Sequence, residues 1–272
     1  MARYPDPFRV TGGKVAVFAD AHLGQVDRDA DDFLAALERV REEGTRTVVL
    51  LGDIFHYFIG DAKFVTPLIS RVLEGWRALA ARGVALRYVE GNRDFFLAGT
   101  PFVAPFAAYG DADGLEVGGR RYAFVHGDRV NTSDLPYRVW RRASKNPVAY
   151  GVMKALPGPL ARAVVAKTEA RLYRTNFKHK SALPERCLLE EGRRARRAGY
   201  DELLVGHFHV ERALEGADSF VRVLPAWLEE RKHAEIAEDG TISIVEEETA
   251  ERARRRELGV LAHETRRAGA GA

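Results

Sequence analysis

A layered α/β domain is what this sequence predicts. Short apolar, β-branched runs recur along it: Lys14–Phe18, Thr47–Leu51, Leu86–Val89, Arg121–Val125 and Leu203–Val205. Runs of this length and composition read as buried strands. Helix-period segments stand between them, and alternating strands and helices call for helices layered on a sheet. Each run also leads into Asp, His or Asn. Such residues at the carboxyl ends of strands are expected to converge on one edge of the sheet, where open α/β folds keep their active sites.

The elements follow in chain order. Asp29–Arg41 places Phe33, Leu34, Leu37 and Val40 on one helix face, with Asp29 as the N-cap and Gly44 as the stop. Val65–Arg82 is a second helix, ending before Gly83. The rhythm breaks after His126. From Asn131 to Pro184 no strand pattern stands; Pro136, Pro147, Pro157, Pro159 and Pro184 punctuate short helical stretches. These are expected to form a helical insertion over the site, at about residues 131–185. Glu185–Ala198 is a charged helix leading back to the strand before His207. Phe220–Leu224, His233–Ile236 and Thr241–Val245 read as a terminal set of antiparallel strands. One domain is expected over residues 1–250. Residues 251–272, charged and ending in Gly and Ala, are expected to form a peripheral or disordered tail.

Composition excludes several classes. Apolar residues make up 46% and charged residues 30%, as in ordinary soluble globular proteins. The single cysteine, Cys187, rules out an internal disulfide and fits a reducing, cytoplasmic compartment. No basic start followed by a long apolar segment marks a signal peptide. No run approaches the roughly 18 apolar residues that span a bilayer. The net charge is only +3, yet basic residues cluster at Arg138, Arg141, Arg142 and Lys145, and at Arg193, Arg194, Arg196 and Arg197. Such clusters are solvated helix faces or sites for an anionic partner.

The chemistry lies at the strand ends: Asp20 and His22, Asp53, Asn92, His126, and His207 with His209. A lone His or a Gly-Asp pair after a strand is usually a hydrogen-bonding group or a turn. Independent turns would not place the same few residue types after five strands in succession. Asp, His and Asn together suit borderline or hard divalent metals. One such ion takes at most about six ligands. Seven candidates fit two ions better, with one carboxylate shared, and Asp53, alone after its strand, is the expected bridge. Two metals roughly 3.5–4 Å apart can hold a hydroxide nucleophile and clamp phosphoryl oxygens, so no nucleophilic Ser or Cys is needed.

The blocks Asp20-Ala-His22, Gly52-Asp53, Gly91-Asn-Arg-Asp94, His126-Gly-Asp128 and Gly206-His-Phe-His209 resemble the five motifs of calcineurin-like metallophosphoesterases. The resemblance spans about residues 14–250. It implies a four-layer α-β-β-α sandwich carrying the helical cap insertion. It implies one metal on Asp20, His22, Asp53 and His209, and another on Asp53, Asn92, His126 and His207. Manganese is the first expectation, and iron, cobalt or zinc suit nearly the same donors.

Arg93 narrows the reaction. Many members of the superfamily have His after the motif Asn, thought to protonate the leaving oxygen. Arginine cannot donate a proton at neutral pH, its pKa exceeding about 12. An alkoxide leaving group wants a general acid; a phosphate, with a second pKa of about 6, does not. Arg93 can instead grip phosphate oxygens as a bidentate fork, which favours cleavage of a pyrophosphate. His207 remains a candidate proton donor.

Flanking blocks resemble the UDP-2,3-diacylglucosamine pyrophosphohydrolases of lipid A synthesis. They are Gly52–Asp61, Gly91–Leu97, His126–Asp128 with Thr132, Asp134 and Tyr137, and Leu224-Pro-Ala-Trp227. By this likeness Asn92, Arg93, Asp134 and His207 contact substrate, and Asn176 with His179 or Lys180 forms the cap's substrate patch. Ala21, Phe58, Leu172 and Phe208 depart from the subfamily pattern. The implied reaction is attack of metal-bound hydroxide on the α-phosphorus, giving UMP and 2,3-diacylglucosamine 1-phosphate. Lys167, Arg171, Arg174 and Lys178 make a basic stripe, with Leu160, Val164, Val165 and Leu172 on other faces. A basic amphipathic helix fits an anionic membrane surface, at the cytoplasmic face of the inner membrane, and an apolar groove for acyl chains. Nucleic acid is disfavoured, and no obligate protein partner is evident. The alternatives are another nucleotide-diphosphate pyrophosphatase, a phosphodiesterase, or a non-catalytic binding module, which would be expected to have lost ligands.

Overall fold

The computed structural model describes residues 4–24, 26–176 and 183–247, without the side chains of 169–176. The elements run β1 (Phe8–Arg9), β2 (Lys14–Phe18), α1 (Asp27–Glu42), β3 (Thr45–Leu50), β4 (Phe58–Ile59), α2 (Pro67–Ala81), β5 (Ala85–Val89), β6 (Asp94–Phe95), β7 (Phe106–Gly110), β8 (Ala112–Val117) and β9 (Arg120–Val125). There follow α3 (Leu135–Ser144), α4 (Pro147–Ala155), α5 (Gly158–Asn176), α6 (Glu185–Arg197), β10 (Glu202–Val205), β11 (Arg212–Glu215), β12 (Phe220–Val223), α7 (Trp227–Glu230), β13 (Lys232–Ile236) and β14 (Ile242–Glu246). The region of residues 251–272 lies outside the described residues.

Two six-stranded sheets form, in the orders β14-β13-β2-β3-β5-β7 and β1-β8-β9-β10-β12-β11. Period-two alternation explains how they stack. On β2, Ala16 and Phe18 face α1 and α2, packing with Phe33, Leu37 and Trp76. Their neighbours Val15 and Val17 face the second sheet, against Leu115, Tyr122, Phe124 and Leu204. The far face of the second sheet, with Ala123, Val125, Leu203 and Val221, packs on Leu188 and Ala195 of α6. The layers are therefore α1 and α2, sheet, sheet, α6, which is the α-β-β-α sandwich.

The structure corrects three sequence expectations. The strand-end residues do not share one sheet edge: β2, β3 and β5 belong to one sheet, β9 and β10 to the other. All five runs are largely buried on both faces, so their pattern does not reveal which sheet each joins. The terminal strands are not one antiparallel set. Strand β12 pairs parallel with β10, whereas β13 pairs antiparallel with β14 and with β2. Asp29 is not the N-cap of α1. Extended Val26 holds that place, and Asp29 sits in the first helical turn, where it takes Arg231. Strands β7 and β8 have no counterpart in the sequence reading.

Helices α3 to α5 are the elements between β9 and α6. They dock through a small cluster in which Ile59, Phe64 and Ala161 meet Met153, Leu156 and Val165. Lys63 strengthens the joint. Its ammonium donates to the carbonyls of Met153, Lys154 and Leu156 at 2.7, 3.0 and 3.0 Å, closing the C-terminal end of α4 where the helix dipole is negative.

A buried ion pair bridges the sheets. Arg87 on β5 donates to both carboxylate oxygens of Asp113 on β8, at 2.5 and 2.6 Å. Removing one partner strands a charge between the sheets. Asp113→Ala is expected to lower stability by about 3–5 kcal/mol in urea unfolding. Arg87→Met with Asp113→Leu should come within about 1 kcal/mol of wild type. Equal losses in the two would show that the pair's charge is not what matters.

Candidate active site

Asp20, Asp53 and His126 are buried, and they gather between the ends of the two sheets. Ligand-type atoms of Asp20, His22 and His209 lie within 4.8 Å of one another, as do those of Asp20, Asp53 and His126. Asp20 belongs to both groups. Nε2 of His22 and Nε2 of His209 stand 3.2 Å apart. Both face Asp20 Oδ1, at 3.8 and 3.5 Å. On the other side, His126 Nε2 lies 3.6 Å from Asp53 Oδ1 and 3.1 Å from Asn92 Oδ1. The His207 ring stands edge-on to His126, with centroids 5.1 Å apart. The seven strand-end residues are thus brought together.

Local backbone geometry explains how. Asp20, His22, Asp53, His207 and His209 all have positive φ, between 43° and 71°. The left-handed region costs a non-glycine residue on the order of 1–3 kcal/mol and persists only where surroundings enforce it. Here the chain must turn sharply as each strand leaves its sheet. The preceding glycines are required by close approach. A Cβ on Gly91 would lie 2.2 Å from Asp53 Oδ1, and one on Gly206 would lie 2.8 Å from Asp20 Oδ2.

Hydrogen bonds fix the side chains. Asp20 Oδ2 accepts from the His207 amide at 2.7 Å, and Asp53 Oδ1 from the Arg93 amide at 2.8 Å. His126 Nδ1 meets the Leu51 carbonyl at 2.9 Å. Only a protonated Nδ1 can donate there, which leaves Nε2 as the ring nitrogen turned to the site. Arg93 Nη1 donates to the His56 carbonyl at 3.0 Å, and its Nε lies 3.7 Å from Asp53 Oδ2.

The electrostatics are those of crowded, buried charge. Burial pushes the Asp53 carboxyl up, and the charge of Asp20 adds to this against His126 and Arg93. Burial opposes protonation of His126, but Asp53, Asp20 and Asp128 outweigh it and raise the group to about 9. Burial and then the neighbouring His126 drive His207 down to about 3. Burial alone would raise Asp20, yet His209, His126 and His22 bring it well below the usual carboxylate range.

The profile of the calcineurin-like phosphoesterase superfamily domain matches residues 14–153. The chain is similar to the UDP-2,3-diacylglucosamine hydrolase of Pseudomonas putida, 30% identical over 198 residues, covering 72% of this chain and 81% of that one. It is 32% identical to the enzyme of that name from Cellvibrio japonicus over 197 residues, 70% and 80% of the two chains. The namesake from Vibrio vulnificus strain YJ016 is 28% identical over 165 residues, 60% and 67% of the two chains. The chain belongs to the calcineurin-like phosphoesterase superfamily. It is a metal-dependent hydrolase.

The donors of this superfamily site fit divalent cations. Asp20 Oδ1 is buried, has no hydrogen-bond partner among the described residues, and faces two imidazole Nε2 atoms. Leaving a carboxylate oxygen dry and without a donor is costly unless a cation satisfies it. Oxygen and imidazole donors in this mixture suit first-row divalent ions.

The remaining site candidates are placed less centrally. Asp134 caps α3, its Oδ1 accepting from the Tyr137 amide at 2.9 Å. Asn176 is the last residue of α5, and its side chain, like all of His179 and Lys180, lies outside the described residues. Much of the two basic clusters is engaged internally. Arg141 pairs with Asp128 at 2.8 Å, Lys145 with Glu90 at 2.7 Å, Arg194 with Glu191 at 2.5 Å and Arg196 with Asp201 at 2.7 Å.

Three supporting residues were given no role by the sequence reading, although Asp94 and Asp128 stand in its motif blocks. Buried Asp94 accepts from the Gly91 amide at 2.7 Å and from the Tyr88 hydroxyl at 2.9 Å, pinning the end of β5. Asp128 takes the Tyr137 hydroxyl at 2.6 Å and Arg141, tying α3 to the strand end that carries His126. Glu229 contacts His209 from 20 residues away, at 3.0 Å. An acidic residue just beyond each ligand was the available signal for the first two; the third has none. Since a 1 Å misplacement can cost on the order of 10²-fold, Gly91→Ala is expected to lower turnover by at least that factor by displacing Asp53. A steady-state assay with near wild-type turnover would contradict the close approach.

Proposed function

We propose that this hydrolase cleaves the pyrophosphate of UDP-2,3-diacylglucosamine in lipid A synthesis. Water attacks the α-phosphorus, and UMP and 2,3-diacylglucosamine 1-phosphate leave. The observation that carries the reading is Arg93, held against Asp53 where a proton-donating His would serve an alkoxide. A phosphate leaving group needs no such donor. The relatives named UDP-2,3-diacylglucosamine hydrolase support the same substrate.

Asp20, His22, Asp53 and His209 hold one cation in this reading, and Asp53, Asn92, His126 and His207 the other, with manganese the proposed metal. Bound there, such ions supply Lewis acidity for phosphoryl oxygens and lower the pKa of water. The chain's own groups do the rest. Arg93 orients the phosphates through its planar fork. His207, uncharged at neutral pH, is suited to ligation more than to proton donation. Asp134, Asn176, His179 and Lys180 are the proposed contacts to the remainder of the substrate.

An anionic membrane surface at the cytoplasmic face of the inner membrane is the proposed place of action. Among the described residues no helix is long and apolar enough to cross a membrane. Three pairs at i and i+4 are nonetheless exposed: Leu135 and Val139, Val148 and Val152, Leu160 and Val164. Exposed Arg138 and Arg142 lie on α3 beside them. Apolar stripes with adjacent arginines fit an interfacial helix surface. Internal pairing of the basic clusters counts against a track for nucleic acid.

Hydrolysis of UDP-diacylglucosamine in oxygen-18 water is expected to label UMP. Label in the lipid product would overturn the site of attack, and faster cleavage of single-stranded DNA would overturn the substrate. In the same assay, Val139→Asp with Val148→Asp should slow hydrolysis in anionic vesicles but not in detergent. Equal rates in both would remove the membrane from the account.

A further inference from the structure

Glu229 lies outside every motif block, yet the fold aims it at a metal-type histidine. Its Oε1 stands 3.0 Å from Nδ1 of His209. A carboxylate there can only accept, so Nδ1 carries a proton and Nε2 is the ring nitrogen left to bind a cation. That Nε2 is the atom facing Asp20 Oδ1 at 3.5 Å and His22 Nε2 at 3.2 Å.

The placement is built, not incidental. Helix α7 is fastened to the strand end that carries Asp20. The Trp227 amide donates to the Ala19 carbonyl at 2.9 Å, and the Leu228 amide to the Asp20 carbonyl at 3.4 Å. The Trp227 ring is buried edge-on against Phe33, with centroids 5.0 Å apart. Arg231, in the left-handed region with φ 53°, lies over the same indole at 4.3 Å and pairs with Asp29 of α1. These contacts leave α7 little freedom to slide. Glu229 and Asp20 therefore stand on one rigid unit, on opposite sides of the His209 ring.

The rings of His126 and His209 differ in this respect. The ring of His126 is backed by a neutral acceptor, the Leu51 carbonyl at 2.9 Å. The ring of His209 is backed by a carboxylate. A carboxylate partner makes an imidazole a stronger donor to a cation, and losing such a partner typically costs 10–100-fold in metal affinity. We propose that Glu229 is a positioning residue that selectively tightens the cation held by Asp20, His22 and His209, making the two metal positions unequal in affinity. The inference rests on the two-cation reading of the site but not on the identity of the substrate.

The test is titration of metal-free full-length protein with Mn2+, free and bound ion being separated by equilibrium dialysis. Wild type is expected to bind two ions. Because Glu229 is more than half exposed, Glu229→Ala should weaken one of them by about 10-fold, the low end of that range, and leave the other unchanged. Glu229→Gln, which keeps an acceptor but not the charge, should fall between. Glu230→Ala is the control: it removes the same charge from the same helix, and Glu230 pairs with Lys232 at 2.8 Å instead. Both Mn2+ affinities within twofold of wild type in Glu229→Ala would overturn the proposal. So would an equal loss in Glu230→Ala, or equal weakening of both sites. Failure of wild type to bind two ions would instead sink the two-cation reading beneath it.

Discussion

Two sheets end against each other so closely that the carboxylate of Asp20 occupies the space a side chain at Gly206 would need, and within one sheet Asp53 crowds Gly91 in the same way. Most of the site follows from that crowding. The chain must turn as it leaves each strand, which forces Asp20, His22, Asp53, His207 and His209 into the left-handed region. The turns aim short acidic and imidazole side chains inward, and burial then makes their mutual charge costly. Satisfying that charge is what divalent cations would do, so fold, strain and chemistry have one cause.

A surrounding set of polar contacts keeps the strand ends in place. Asp94 binds the amide of Gly91, Asp128 draws α3 toward His126, and α7 grips the backbone at Ala19 and Asp20. The first two act across short stretches of chain, whereas the third joins elements about 200 residues apart. A small shift in any of them would move a strand-end side chain, and a metal held there would tolerate little such movement. The Arg87–Asp113 pair does similar work between the sheets.

The strands bearing the site were legible because burial on both faces gives short, uniformly apolar runs, as in Leu203–Val205. The same uniformity hid their partners. Val15 and Ala16 face different layers, but nothing in their chemistry says which sheet lies beyond. The separation of β12 from β13 was invisible for a like reason: a strand's pairing partner depends on long-range topology, which neither short segment encodes. Asp29 misled because an Asp near a helix start usually caps it, whereas here its charge is used by Arg231. All seven strand-end residues could be picked out, since Asp, His and Asn recurred after successive strands. Glu229 could not, because its role depends on the docking of α7 through Trp227 and not on any local pattern.

The central claim is that the strand ends of both sheets form a two-cation hydrolytic site around Asp20 and Asp53. Anomalous diffraction from crystals grown with Mn2+ tests it most directly. Two peaks roughly 3.5–4 Å apart are predicted, one beside Asp20, His22 and His209 and the other beside Asn92, His126 and His207, with Asp53 reaching both. A single peak, or peaks away from these residues, would contradict the account.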